Sequence, residues 1–164
     1  MTQEPPPCIF CYGKEARPCA PEGLFDVSWV AHSYLEHIAR SENHEAKAEA
    51  LFWSYNCISD LVEDTPEIAF QIVLILADGL TSPRQASIVA AGFLEDIIVK
   101  HGPTFIDRIE EIAYRSPRFR YVLSGVWPQG EQDSAVWKRI AAIRENGPHI
   151  DKDSVLPPPD GVHQ

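Results

Sequence analysis

The sequence predicts an all-α fold: a compact multi-helix bundle or a short HEAT-like stack of helical hairpins, about seven helices in all. Three observations carry this expectation. Apolar residues recur with the 3.6-residue period across most of the chain. Prolines preceded by Ser, Thr or Gly punctuate it at positions 66, 83, 103 and 117. No segment alternates apolar and polar residues as a half-buried strand would.

Residues 1–25 are rich in proline and cysteine, have no helical period, and read as an irregular N-terminal segment. Residues 26–146 form the helical domain. Residues 147–164, with Gly147, Pro148 and the run Pro157, Pro158, Pro159, read as an open C-terminal tail. Within the domain the expected helices cover about 27–40, 43–62, 66–78, 83–100, 103–115, 117–124 and 133–145. The first buries Val27, Val30, Ala31, Tyr34, Leu35 and Ile38 along one face, and the second Ala50, Leu51, Ser54, Ile58 and Leu61. The third and fourth are apolar nearly all round, which suits the middle of a bundle.

Their starts follow a common device. Proline loses nothing at the first helical position, and a preceding Ser or Thr hydroxyl can accept from an unpaired amide of the first turn. Thr65-Pro66, Ser82-Pro83 and Ser116-Pro117 fit this pattern, with Gln85 placed for a capping box. Gly102-Pro103 is expected to end one helix and start the next. The proline spacings of 17, 20 and 14 residues are on the scale of helical-hairpin repeats of ~35 residues, which leaves bundle and stack as alternatives.

The formal net charge is −10. Binding to a phosphate backbone needs a basic surface, so nucleic acid is excluded as a partner class. The first seven residues are neither basic nor apolar, which predicts no signal peptide. The longest apolar run, from Ile68 to Ala77, is too short to span a bilayer. A cytoplasmic location follows as the expectation, with cysteines as thiols or metal ligands. Oligomeric state is not encoded in any pattern here.

The charge is unevenly spread. Residues 20–80 carry eleven acids against Arg40 and Lys47, whereas residues 81–125 are close to balanced. Such asymmetry marks a directed electrostatic surface. On the expected second helix, Glu45, Glu49, Asn56, Asp60 and Glu63 fall within about a sixth of the circumference. Phe52 shares that sector and Trp53 lies at its edge. Aromatic rings within an acidic face suit an anchor for a basic protein partner.

Two other constellations could carry chemistry. Cys8-Ile9-Phe10-Cys11, followed by a turn with Gly13 and then Cys19, resembles half of a zinc knuckle. A fourth ligand would come from His32, His37 or His44, with His32 nearest in sequence. Zinc is therefore a possible cofactor; otherwise none is implied. Glu95 and His101 could do acid–base work if they converged in a cleft. The structural alternative pairs Glu95 with Arg108, Arg115, Arg118 or Arg120 and places His101 as a helix C-cap. No phosphate loop, His-Glu-x-x-His or Gly-x-Ser-x-Gly motif occurs.

The segments Ala90-Ala91-Gly92-Phe93-Leu94-Glu95-Asp96, His101-Gly102, Phe105-Ile106, Ser116-Pro117-Arg118-Phe119-Arg120 and Val126-Trp127 resemble a family of small bacterial helical domains of unknown function. The resemblance covers about residues 50–140, and the family usually has Pro where this chain has Phe93. It implies an all-helical fold and a bacterial setting, and no activity.

The expected function is a non-enzymatic protein-interaction module, of which an immunity-type inhibitor of a basic toxin or effector is one form. The alternatives are a zinc-stabilised adaptor built on the N-terminal cysteines and a hydrolase-like enzyme using Glu95 and His101.

Overall fold

The computed structural model describes residues 2–3 and 17–161. The expected all-α class holds. Seven α-helices lie among the described residues: α1 Val27–Glu42, α2 Trp53–Asp64, α3 Pro66–Gly79, α4 Pro83–Val89, α5 Glu95–Arg115, α6 Pro117–Leu123 and α7 Ala135–Arg144. The chain divides into two compact units, Met1–Leu76 and Ala77–Gln164.

In the N-terminal unit two short strands, β1 Thr2–Gln3 and β2 Phe25–Asp26, pair antiparallel with Thr2 opposite Asp26 and Gln3 opposite Phe25. Asp26 also caps α1, its carboxylate accepting from the Trp29 amide at 3.0 Å. The buried face of α1 carries Val30, Ala31, Tyr34 and Ile38, as its periodicity predicts, while Val27 and Leu35, expected there too, are half-buried.

The expected helix over 43–62 is replaced by two elements, and the chain chemistry explains why. Ser41 and Asn43 turn their side chains back onto the carbonyls of His37 and Ala39, satisfying the end of α1 locally. His44 then adopts a left-handed backbone, with φ of 54°. Histidine, like Asn and Asp, tolerates this region better than most residues. A 3-10 helix, Ala46–Leu51, follows, and α2 begins only at Trp53.

The proline-opened helices are largely as expected. Ser82 and Ser116 accept from the amides of Gln85 and Phe119 at 3.2 and 2.8 Å. Gln85 completes a shifted capping box, accepting from the amide and hydroxyl of Thr81 at 2.9 and 3.0 Å. Thr65 does not cap α3: its hydroxyl oxygen is buried without a hydrogen-bond partner among the described residues.

In the C-terminal unit the expected break at Gly102-Pro103 is absent. Pro103 sits inside α5, on the exposed side. The carbonyl it leaves unbonded belongs to Val99, itself partly exposed, so water can serve it. The discontinuity falls ten residues earlier, at a π-helical segment, Ala90–Leu94, where Gly92 has non-helical angles (φ −106°, ψ −110°). Gly102 instead marks a close approach: a Cβ there would meet Val136 of α7 at 2.9 Å.

The expected open tail is a correction. Residues 145–161 lack regular structure but dock onto the unit through polar contacts. Tyr121 donates to the Asp153 carbonyl at 2.8 Å, and the Ile150 amide to Ser124 Oγ at 2.9 Å. The amide of Gly161 donates to Asp78 Oδ2 at 3.0 Å, the Asp160 amide also donates to Asp78, and Ser116 donates to the Asp160 carboxylate.

Arg118 is the anchor of this arrangement and only 4% exposed. Its guanidinium donates to the carbonyls of Ala77 and Pro157 at 2.7 Å, to Asp78 at 3.3 Å and to Leu80. Replacing it strands four acceptors, each costing about 1–3 kcal/mol when left buried and unbonded. Arg118→Leu should therefore lower stability in urea by about 3 kcal/mol or more and expose residues 148–161 to limited proteolysis. A loss below about 0.5 kcal/mol, with the tail still protected, would contradict this assignment.

Candidate functional site

The surface of the N-terminal unit assembles an aromatic cluster from three elements. Tyr34 and His37 come from α1, Phe52 from the junction of the 3-10 helix with α2, and Tyr55 from the first turn of α2. Phe52 and Tyr55 stack with centroids 5.3 Å apart and planes 15° from parallel. His37 lies 5.9 Å from Tyr34 and 5.6 Å from Phe52. His37 Nδ1 is 2.7 Å from the Ala48 carbonyl, which can only accept, so this nitrogen carries the proton and ties α1 to the 3-10 helix.

Phe52 and Tyr55 remain 45% and 41% exposed. Tyr34, by contrast, is buried, and its hydroxyl pKa is pushed up to about 12, chiefly by burial and secondarily by Tyr55. Beside Phe52 an open groove of about 620 Å³ is edged by Glu45 and Glu49, with His37 and His44 on its walls.

Of the residues expected to bind a partner, the structure brings Glu45, Glu49 and Phe52 to this groove. Glu45 is engaged by Arg40 at 3.0 Å, and Arg40 also holds Glu36. Glu49 is exposed and meets no cation among the described residues. Trp53 and Asn56 are half-buried. Asp60 is half-buried too, with Oδ2 enclosed and without a hydrogen-bond partner among the described residues. Glu63 is exposed eleven residues beyond Phe52, roughly 16 Å along α2. The single acidic helix face is thus corrected: residues 43–52, between α1 and α2, are not α-helical, so Glu45, Glu49 and Phe52 do not keep the 100° spacing. Tyr34 and His37, expected as a core residue and a possible zinc ligand, join this cluster instead, and Tyr55 carries no expectation although Phe52 and Tyr55 stand at the i, i+3 spacing of a helical aromatic pair.

Of the possible zinc ligands, Cys8 and Cys11 lie outside the described residues. Cys19 is buried, and His32 is exposed on α1 with Nδ1 bonded to the Ser28 carbonyl at 2.7 Å. Among the described residues no three His, Cys, Asp or Glu side chains form a group able to hold a metal.

Glu95 and His101 are not brought together. Both lie on α5, six residues apart, about 120° round and roughly 9 Å along the axis. His101 is in mid-helix, so its expected capping role is corrected as well. Glu95 is 6% exposed and pairs with no arginine among the described residues. Its carboxylate accepts from the Trp127 amide at 2.7 Å and from Gln129 Nε2 at 2.5 Å, pinning the loop after α6. The arginines expected to serve it are used elsewhere: Arg108 lies over Phe105, Arg115 pairs with Glu111, and Arg118 and Arg120 bind carbonyls.

No described helix is long and apolar enough to cross a membrane. The chain belongs to a family of unknown function, DUF6869, whose model matches residues 40–147. That match takes in Glu45, Glu49, Phe52 and Tyr55 but stops short of Tyr34, His37 and the docked tail. No curated protein and no solved structure matches the chain significantly.

The raised Tyr34 pKa makes a pH prediction. The folded state holds this proton more tightly than the unfolded chain, whose tyrosine ionises near 10. The stabilisation is therefore complete below pH 10 and is lost as pH rises through about 12. Denaturation measured between these limits should show a falling limb that Tyr34→Phe flattens. An identical slope in both proteins would refute it.

Proposed function

We propose that this chain is a non-enzymatic interaction protein that holds a basic protein partner through the acidic, aromatic surface of its N-terminal unit. One observation carries the proposal: Phe52 and Tyr55 stack as a pair yet stay nearly half exposed, beside a glutamate, Glu49, with no cation of its own among the described residues. Exposed aromatic surface costs roughly 25 cal/mol per Å² relative to burial. Rings held rigidly at such a surface have little conformational entropy left to lose on binding, which suits an anchor.

The charge supports the same reading. The acidic excess of residues 20–80 favours encounter with a basic surface, and complementary charge raises association rate and selectivity more than final affinity. Lysine or arginine side chains of the partner would meet Glu49 and the faces of Phe52 and Tyr55, where cation–π attraction adds to the ion pair. An immunity-type inhibitor that occludes a basic toxin or effector in the cytoplasm is the form of partner-binding we favour, on the strength of small size and acidity.

Affinity capture from native lysate at low and high salt, with the retained protein identified by mass, tests this. A basic protein should be held at low salt and weakened at high salt. Glu49→Lys should reduce its affinity about tenfold, and Phe52→Ala should cost about 2 kcal/mol of binding, with unchanged circular dichroism in both. Equal retention by wild type and both variants would reject the surface as the binding site. Asp60 is unsuited to such a test, because its enclosed oxygen couples any change there to folding.

A further inference from the structure

A second site lies in the C-terminal unit, chemically unlike the first. α5 and α7 run in the same direction along each other: Gly102 approaches Val136, Arg139 reaches Asp107 and Glu110, and beyond α7 the Gly147 carbonyl meets Arg120, which also bonds Ala113 and Tyr114. Between the two helices opens a groove of about 810 Å³, within the range of small-ligand sites. Its apolar floor includes Ala113, Ala142 and Ile143, and Tyr114 stands at the edge, 88% exposed.

The charged side chains lining the groove balance in number but not in position. Glu111 pairs with Arg115 at 2.9 Å. Arg139 is claimed by two carboxylates, Asp107 at 2.7 Å and Glu110 at 2.5 Å. Arg120 pairs with no carboxylate among the described residues. Its Nε donates to the Gly147 carbonyl at 2.9 Å, and its Nη1 to those of Ala113 at 2.5 Å and Tyr114 at 3.3 Å. Nη2 has no acceptor among the described residues. The carbonyls at the end of α5 offset only part of a full charge, about half by the helix-dipole measure. The groove therefore holds a half-buried guanidinium with two unused donor hydrogens, and Asn146, which precedes the Gly147 bonded to Arg120 Nε, also lines it.

We propose that this groove binds a small apolar monocarboxylate. The carboxylate seats on Arg120 Nη2, with Asn146 as a second donor, and the apolar body lies on Ala142 and Ile143 under Tyr114. A carboxylate is favoured over a neutral polar group because it supplies the counter-charge that Arg120 lacks, and a hydrogen bond between ionised groups is stronger than one between neutral groups. An amine at this position would meet the unpaired cation. The surplus acid at the Arg139 end, about one helical turn away, discourages ligands carrying a second negative charge.

The test is a titration of the full chain with 3-phenylpropionate, followed by amide chemical shifts, alongside the uncharged 3-phenylpropionamide. Binding on the order of a millimolar is expected for a ligand of this size, with shifts confined to residues 107–120 and 139–147. The amide should bind at least about fivefold more weakly. Arg120 also ties main-chain carbonyls, so Arg120→Gln confounds binding with folding. Asn146→Asp, at an exposed position, avoids this: it should weaken 3-phenylpropionate about fivefold while leaving the spectrum of the unliganded protein otherwise unchanged. Equal binding of acid and amide, binding unaffected by Asn146→Asp, or no localised shifts at tens of millimolar, roughly tenfold above the expected constant, would each overturn the proposal.

Discussion

The C-terminal unit depends on one buried cation. Arg118 sits one residue into α6, just after the Ser116 cap and Pro117, and is carried into the interior by that geometry. There it collects the carbonyls of Ala77, Asp78 and Leu80, which end α3, together with Pro157 of the docked segment. Burial pushes its pKa down, and Asp78 and Asp160 oppose that shift. The same two carboxylates fasten the chain end, so one charge cluster sets the helix terminus, the start of α6 and the path of residues 157–161 together. Arg120 and Arg144 repeat the theme at Ala113, Gly147 and Val126. Arginine suits this role because its several fixed donors can serve separate carbonyls at once.

This explains which features could be read from the residues alone. Local signals were legible: Ser82-Pro83 and Ser116-Pro117 begin α4 and α6 because their chemistry acts within four residues. Features settled by distant contacts were not. Pro103 resembles a boundary in sequence, but packing on both sides of it keeps α5 continuous, and its exposed placement limits the cost. The final segment, rich in Pro and Gly, looks open because its docking relies on main-chain groups and on side chains 26 to 83 residues away. Glu95 was expected to pair with an arginine, yet its partners are a loop amide and Gln129, which no helical spacing reveals.

The candidate site was partly legible for the same reason. The acidic bias near residues 36–67 is a matter of composition and survives any change in helix boundaries. Which acids share a surface depends on backbone geometry, and the left-handed turn at His44 with the following 3-10 helix rearranged them. Glu45 and Glu49 came to the groove with Phe52, while Asp60 turned partly inward. The two proposed sites divide the work by charge: an acidic, aromatic surface for a basic macromolecule in one unit, and a groove with an uncompensated guanidinium for a small anion in the other.

The central claim concerns the first of these. It is tested most directly by hydrogen–deuterium exchange of the protein with and without its captured basic partner. The account predicts new protection over residues 34–56, covering the end of α1, the 3-10 helix and the start of α2. Protection confined to α5–α7, with that region unchanged, would contradict it.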